Sequence, residues 1–364
     1  MTGGTKCSTI LGTRHWQTYV LNLSNNPIRR VFTQNLFISS KLSLKSPKTA
    51  LLVLALLLLS SSSNLQALNG KIARADNRSD AIILPSTIVA VIDYARPYLR
   101  DGTGKFAGPA DIWNPDKGFL VQSINPESYS LNFPTTGAHN LYFNLLIAAI
   151  DVRDLTWEPV THEGITATVT NDVVCDSWNS YEGCKEWVVG VKLTGPEASN
   201  QWNNPNPSRI AVPKLPQTFE LVGRDIYGVE VVKYGFVLRQ WFVNRGFQLK
   251  TYSDHLAWCN SLGYRMPRVR DLTNAVCSGW SSGSWCQGAV GATPSSSGNN
   301  YQRHIGAGFF TEWGITVGYA AGFASTFYWT SDATGSDQFY VYSSGGSAYS
   351  GSARDTRYGL CTAP

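Results

Sequence analysis

Cysteine and histidine are the residues in this chain most able to do chemistry, and their spacing favours structure over catalysis. The five histidines, His15, His139, His162, His255 and His304, are scattered. Neither His162-Glu163 nor Asp254-His255 belongs to a recognisable nucleophile motif, and no phosphate-binding loop, His-Glu-x-x-His helix or Cys-x-x-Cys pair occurs. A triad assembled in space is the enzymatic reading that motif searching leaves open. Of the seven cysteines, Cys7 precedes an apolar run at 50–59, leaving Cys175, Cys184, Cys259, Cys277, Cys286 and Cys361 after it. An even number of cysteines in an exported chain indicates disulfides in preference to metal ligation. Proximity in sequence suggests Cys175 with Cys184 and Cys277 with Cys286.

Export is the reading of the first 75 residues. Nine Lys and Arg stand there with no Asp or Glu, and Lys41, Lys45 and Lys48 precede the apolar run, which four serines follow. Ten apolar residues are too few to cross a bilayer, which takes about 20, but they suit the centre of a secretory signal peptide. Ala73-Arg74-Ala75 is a small-x-small cleavage pattern. The stretch before the apolar run is long, so either the signal is an extended one or translation starts later; an organellar transit peptide is the alternative. Outside this leader 21 basic residues face 25 acidic ones, so the net charge of +5 belongs to the leader and nucleic-acid binding loses its support.

The elements that must position any site follow from pattern. Short apolar runs at 88–92, 118–121, 141–150, 165–169 and 187–193, broken by Pro, Gly and Asn, read as strands of an all-β sandwich. The run 141–147 is the plainest strand, preceded by a turn at 136–140. Five prolines between 196 and 216 mark an extended surface segment or interdomain connection. Strands are expected at 219–222 and 229–243, then a helix over 254–262 capped by Ser253 and stopped by Gly263, then a second helix over about 269–276. The organisation is thus a leader (1–75), a β-sandwich (76–215) and an α+β domain (216–364).

The run Cys259-Asn260-Ser261-Leu262-Gly263-Tyr264-Arg265-Met266-Pro267, followed by Phe327-Tyr328-Trp329-Thr330-Ser331 and by Cys361 near the C-terminus, resembles the C-type lectin-like domain. Residues 219–225 and 234–243 look like the junction in bacterial surface adhesins of the intimin and invasin type. There an immunoglobulin-like β domain precedes a terminal lectin-like tip. The fold this implies is mainly β, an immunoglobulin-like β-sandwich followed by a C-type lectin-like α+β domain. The resemblance further implies a Cys259–Cys361 disulfide joining the first helix to the last strand. The sequence departs from the pattern at Arg268, where a Ser or Thr cap is usual, and it lacks the Glu-Pro-Asn, Gln-Pro-Asp and Trp-Asn-Asp triplets with which sugar-binding members hold calcium. No cofactor or metal is expected.

The Ser-, Gly- and Asn-rich segment 281–308 lies where this fold displays its ligand-facing loop. In it and at its flanks Trp280, Trp285, Tyr301, Arg303, His304, Glu312 and Trp313 are the candidate ligand-binding residues, aromatic and Arg side chains being the common anchors of interfaces. For Trp280, Trp313 and Trp329 the competing reading is core packing. The expected function is that of a secreted or outer-membrane-associated bacterial adhesin, not an enzyme, whose tip binds a host or neighbouring-cell protein or glycan without calcium. The alternatives are a calcium-independent carbohydrate-binding lectin and a secreted enzyme on a fold like that of formylglycine-generating enzymes.

Overall fold

A computed structural model describes residues 90–174 and 186–364. The chain divides into compact units at Met1–Ile82 and Ile83–Pro364, and all described residues belong to the second. The leader and the Cys175–Cys184 pair lie outside the described residues.

Among the described residues nine strands precede the proline-rich connection: β1 (Val91–Arg96), β2 (Trp113–Asn114), β3 (Gly118–Leu120), β4 (Thr136–Ala138), β5 (Tyr142–Ala148), β6 (Thr156–Trp157), β7 (Val160–His162), β8 (Ile165–Val174) and β9 (Glu186–Thr194). Seven form one sheet in the order β2-β3-β1-β5-β9-β8-β7, in which β8 and β9 make a long antiparallel hairpin from Thr166↔Thr194 to Val174↔Glu186. After the connection, β10 (Gln217–Arg224) and β11 (Glu230–Leu238) pair across the Asp225–Val229 turn, and β6 adds to the far side of β10. Both sheets alternate as half-buried strands should. Phe143 and Leu145 of β5, Phe219 and Leu221 of β10, and Tyr234 and Phe236 of β11 point inward. Phe143 meets Phe236 with centroids 6.0 Å apart, and Phe219 stacks on Phe236 at 5.2 Å, so two sheets face each other as a sandwich.

The α+β portion begins at β12 (Gln240–Asn244) and continues through α1 (Tyr252–Leu262), α2 (Val269–Leu272), α3 (Phe309–Trp313), β13 (Phe327–Thr334), β14 (Asp337–Tyr342), β15 (Ala348–Ser352) and β16 (Leu360–Thr362). Its first and last strands pair antiparallel, Phe242 opposite Thr362. On its other side β12 pairs in parallel with β4, Gln240 opposite Thr136. The turn expected at 136–140 is therefore a strand over its first three residues; His139 and Asn140, the latter with φ 68°, keep a turn. Beside this sheet, β13, β14 and β15 form an antiparallel meander.

Helix α1 starts two residues before the expected point because Thr251, not Ser253, is its cap. Thr251 Oγ1 accepts from the Asp254 N–H, and the Asp254 carboxylate accepts from Thr251 N–H, completing a capping box. Gly263 ends the helix at φ 86°, as its lack of a Cβ allows. Helix α2 is one turn long, shorter than expected, because Thr273 turns extended and Asn274 is buried. The Asn274 amide donates to Pro294 O and Gln302 O and accepts from Gln302 N–H, organising the loop that follows. The cap missing at Arg268 comes from a distant strand: Asp332 Oδ2 accepts from Val269 N–H at 2.8 Å. Two disulfides are present among the described residues, Cys259–Cys361 and Cys277–Cys286. The first joins α1 to β16, the link that the lectin-like resemblance implies.

The proline-rich connection lies against the α+β portion. Tyr264 donates its hydroxyl to Ala211 O, Trp258 its indole N–H to Gln201 O, and Trp241 its indole N–H to Pro196 O. One hydrophobic core runs from Phe119 and Phe143 in the sandwich through Trp313 to Leu262 and Cys361.

His255 on α1 carries a pH dependence. The ring is fully buried, its Nε2 lies 3.0 Å from Arg357 O, and its Nδ1 has no partner. A Cβ on Gly359 would lie 2.0 Å from that Nδ1, so no acceptor can enter there. Burial lowers the ring pKa from 6.5 to about 4, and the fold holds the neutral form. The unfolded chain then binds one more proton than the folded chain between those two values. Stability is complete above pH 6.5 and falls as pH drops towards 4, by about 3 kcal/mol for this group. Urea unfolding at pH 7 and pH 4.5 should show the loss, and a His255→Asn variant should show a smaller one.

Candidate functional site

The loop 277–286 is closed by its own disulfide and held from beneath. Cys286 is fully buried. Buried Asn299 donates its side-chain N–H to Ser281 O and to Ala348 O, both at 2.9 Å, and accepts from Ala348 N–H. Its backbone N–H donates to Trp280 O. One amide thus ties the loop to β15, fixing a backbone that would otherwise be free to move. On this base Trp280 is 67% exposed and Trp285 45% exposed, and Val290, just past the loop in sequence, is 61% exposed. Val290 is bridged through its backbone to Val276.

Lys105, from the segment between β1 and β2, sits over the Trp280 ring with Nζ 2.9 Å from the centroid and lies 5.0 Å from Phe106. Contact with the rings desolvates the ammonium and lowers its pKa, against the opposing pull of Asp101. Nothing local in sequence pairs Lys105 with Trp280. The role of Asn299 is equally hidden, since a Gly- and Asn-rich stretch reads as exposed loop.

Four of the expected ligand-binding residues are interior. Tyr301, Arg303, Glu312 and Trp313 are all fully buried, which corrects the expectation that they face a partner. Tyr301 packs on Phe106 at 5.3 Å and donates to Asp101 O; burial pushes its hydroxyl pKa up to about 12. Arg303 spends its guanidinium on main-chain carbonyls, donating to Glu312 O, Tyr98 O and Arg100 O while lying 4.8 Å from the Trp113 centroid. Trp313 packs on Phe133 at 4.9 Å and donates its indole N–H to Thr136 O. His304 is half-buried with Nδ1 beside its neighbour's carbonyl, Ile305 O. Trp329 is core, as its competing reading had it.

Glu312 gathers five hydrogen-bond donors. Its carboxylate accepts from the backbone N–H of Thr135, Thr136 and Gly306 and from the hydroxyls of Thr135 and Thr136, at 2.6–3.2 Å. Burial pushes its pKa up, and the five donors pull against that shift without reversing it. The side chain is a strut between α3 and β4, and its oxygens have no room for a ligand.

Two places in the molecule carry the residue types of catalysis. Gly279-Trp280-Ser281-Ser282-Gly283 matches the Gly-x-Ser-x-Gly pattern. That pattern makes a nucleophile elbow only between a strand and a helix; here it lies in the disulfide loop, and the Ser281 hydroxyl makes no hydrogen bond to a His or carboxylate among the described residues. A cleft of about 170 Å³ at the end of β12 brings together His139, Glu197 and Ser199. His139 Nδ1 faces the Gly195 main chain, and the Glu197 carboxylate accepts from Ser199 N–H. No group of three or more metal-ligating side chains gathers among the described residues.

Fold and site together define a β-sandwich joined to a disulfide-bonded α+β portion that displays two indoles on a braced loop. No family model matches the chain, and no curated protein does. A solved structure, that of invasin, described as a bacterial integrin-binding protein, superposes with a TM-score of 0.43 and 14% identity, over 76% of this chain and 39% of that one. The chain therefore spans about two fifths of the structure it matches, and the fold description rests on its own strand pairings and disulfides.

Proposed function

We propose that this protein is an exported cell-surface adhesin whose recognition surface is the loop 277–286, with Trp280 and Trp285 as anchors for a protein receptor on a host or neighbouring cell. The observation that carries this reading is the exposure of two indoles on a backbone fixed by a disulfide and a buried asparagine. Large rigid aromatic side chains bury much area on contact while losing little conformational freedom, which is why they dominate interface energetics. Two neighbouring exposed indoles on one short disulfide loop contribute little burial to the fold, and such a surface suits a partner. Contact through rings needs no cation, in keeping with calcium-independent binding.

The test is adhesion of the oxidised protein to cultured epithelial cells in EDTA. A Trp280→Ala, Trp285→Ala double variant should bind at least about 30-fold more weakly, two anchors at about 1 kcal/mol or more each, while its unfolding midpoint stays unchanged. Equal binding by the double variant and the parent sinks the proposal.

A further inference from the structure

The surface around Trp280 is built from two distant parts of the chain, each pinned by one of two adjacent asparagines. Asn299 donates its backbone N–H to Trp280 O at 3.2 Å and holds the disulfide loop from beneath. Asn300, also buried, donates its side-chain N–H to Lys105 O at 3.1 Å and to Tyr301 O at 2.9 Å. The Arg303 N–H donates to Phe106 O, and Phe106 packs on Tyr301, so the main chain at 105–106 is as firmly held as the loop. Lys105 itself is exposed. Its ammonium meets the rings of Trp280 and Phe106 and feels the charge of Asp101, but forms no ion pair or hydrogen bond among the described residues.

Charge is scarce on this surface. No Asp, Glu, Lys, Arg or His stands between Asp271 and Arg303, or between Asp337 and Arg354, the stretches that form the loop and the strands beside it. The segment 97–110 supplies Arg100, Asp101 and Lys105, and Arg303 lies buried below, so cations outnumber the acid. Ala348, to which Asn299 ties the loop, lies opposite Val341, whereas Asp337 lies opposite Ser352. Asp337 and Arg354 are thus at least about 13 Å away along the strands. That exceeds the screening length of about 8 Å at physiological salt.

A receptor that covers Trp280 also covers Lys105, whose Nζ lies 2.9 Å from the centroid of that ring. Taking an ammonium out of water with no counter-charge costs more than its contact with one ring returns. On the basis of the adhesive role proposed for the loop 277–286, we infer that Lys105 belongs to the recognition surface and that the receptor meets it with an aspartate or glutamate side chain, set beside the apolar pocket that takes the indoles. The indoles then supply contact area, and Lys105 supplies the choice of partner. A basic patch placed over Trp280 would bring like charges together in a desolvated contact, so receptors of that kind are refused.

Adhesion of the full-length oxidised protein to epithelial cells in EDTA is the test. Lys105→Gln, and Lys105→Met, which keeps an apolar stem on the ring, should each bind about tenfold more weakly, Lys105→Glu more weakly still, and Lys105→Arg within about threefold of the parent. All four should unfold at the parent's midpoint. Raising the salt from about 0.05 to about 0.5 M should weaken the parent and leave Lys105→Gln nearly as it was. Coupling ethanolamine to the cells' carboxylates with a carbodiimide should bring the parent down to the level of Lys105→Gln, whereas sialidase and heparinases should not. If Lys105→Gln binds like the parent while the Trp280→Ala, Trp285→Ala variant is weakened, the inference is overturned and the adhesive loop stands. Equal binding by the tryptophan variant overturns both. A difference between parent and Lys105→Gln that disappears after sialidase or heparinase assigns the anion to a glycan and also overturns the inference.

Discussion

Glu312→Ala is expected to lower the free energy of unfolding by about 4 kcal/mol, a large share of the 5–15 kcal/mol that holds a typical domain together. Alanine removes the acceptor for three backbone N–H groups and two hydroxyls that are buried where solvent does not reach. The hydroxyls can rotate towards other acceptors, but the N–H groups of Thr135, Thr136 and Gly306 cannot, and each unsatisfied one costs about 1–3 kcal/mol. Glu312→Gln separates charge from hydrogen bonding. Either orientation of the amide aims its NH₂ at a fixed N–H, that of Gly306 on one side or Thr136 on the other, so glutamine should recover only part of the loss. Because Glu312 and Trp313 both hold β4, the α+β portion and the sandwich should lose stability together. Urea unfolding followed by tryptophan fluorescence and far-ultraviolet circular dichroism should give one coincident transition at lower denaturant. A loss below about 1 kcal/mol would mean that water replaces the carboxylate.

Removing the Cys259–Cys361 bond is expected to cost about 4–5 kcal/mol, and removing Cys277–Cys286 about 2–3 kcal/mol. The first closes a loop with a sequence separation of 102 and the second one of 9, so the longer bond removes more freedom from the unfolded chain. Position sharpens the difference. Cys259 and Cys361 are fully buried, and β16, which carries Cys361, is only three residues long and pairs with β12. In Cys259→Ala, Cys361→Ala the strand keeps its burial, its ladder and the backbone exchange between Arg265 and Thr362, but loses its covalent tie to α1. The Cys277→Ala, Cys286→Ala variant should keep the fold and lose adhesion, because its bond braces the loop bearing Trp280 and Trp285. Equal unfolding midpoints for the two variants would remove the loop-length argument, and peptide mapping that found Cys259 free would remove the bond itself.

Much of the architecture was legible because it is written in local patterns. Apolar runs at 219–222 and 229–243 read as strands, with Asp225-Ile226-Tyr227-Gly228 between them a turn by composition, but the second run is two strands, β11 and β12, which part at Arg239 into different sheets. The helix ending at Leu262 was marked by spacing and by Gly263. Its first residue was misplaced because Thr251 and Ser253 are both competent caps, and only the geometry of Asp254 chooses Thr251. The candidate site was far less legible. Tyr301, Arg303 and Glu312 stand in a polar, glycine-rich stretch, where solvent exposure is the ordinary inference. Their burial depends on Tyr98, Arg100, Thr135 and Thr136, which belong to another part of the chain.

Sequence by itself determined the β-rich first part, the helix and its stop, the proline-rich extended segment and the pairing of Cys277 with Cys286, since each depends on residues close together along the chain. Resemblance to lectin-like domains added the Cys259–Cys361 bond. Tertiary structure alone decided which polar residues are struts and which are surface. A buried carboxylate and a buried guanidinium are tolerable only where donors and carbonyls converge from several elements, and such convergence has no linear signature. By the same cause Trp280 and Trp285 were separable from Trp313 and Trp329 only in the folded chain. An indole is equally at home in a core or at an interface, and what lies on its other side is set by packing.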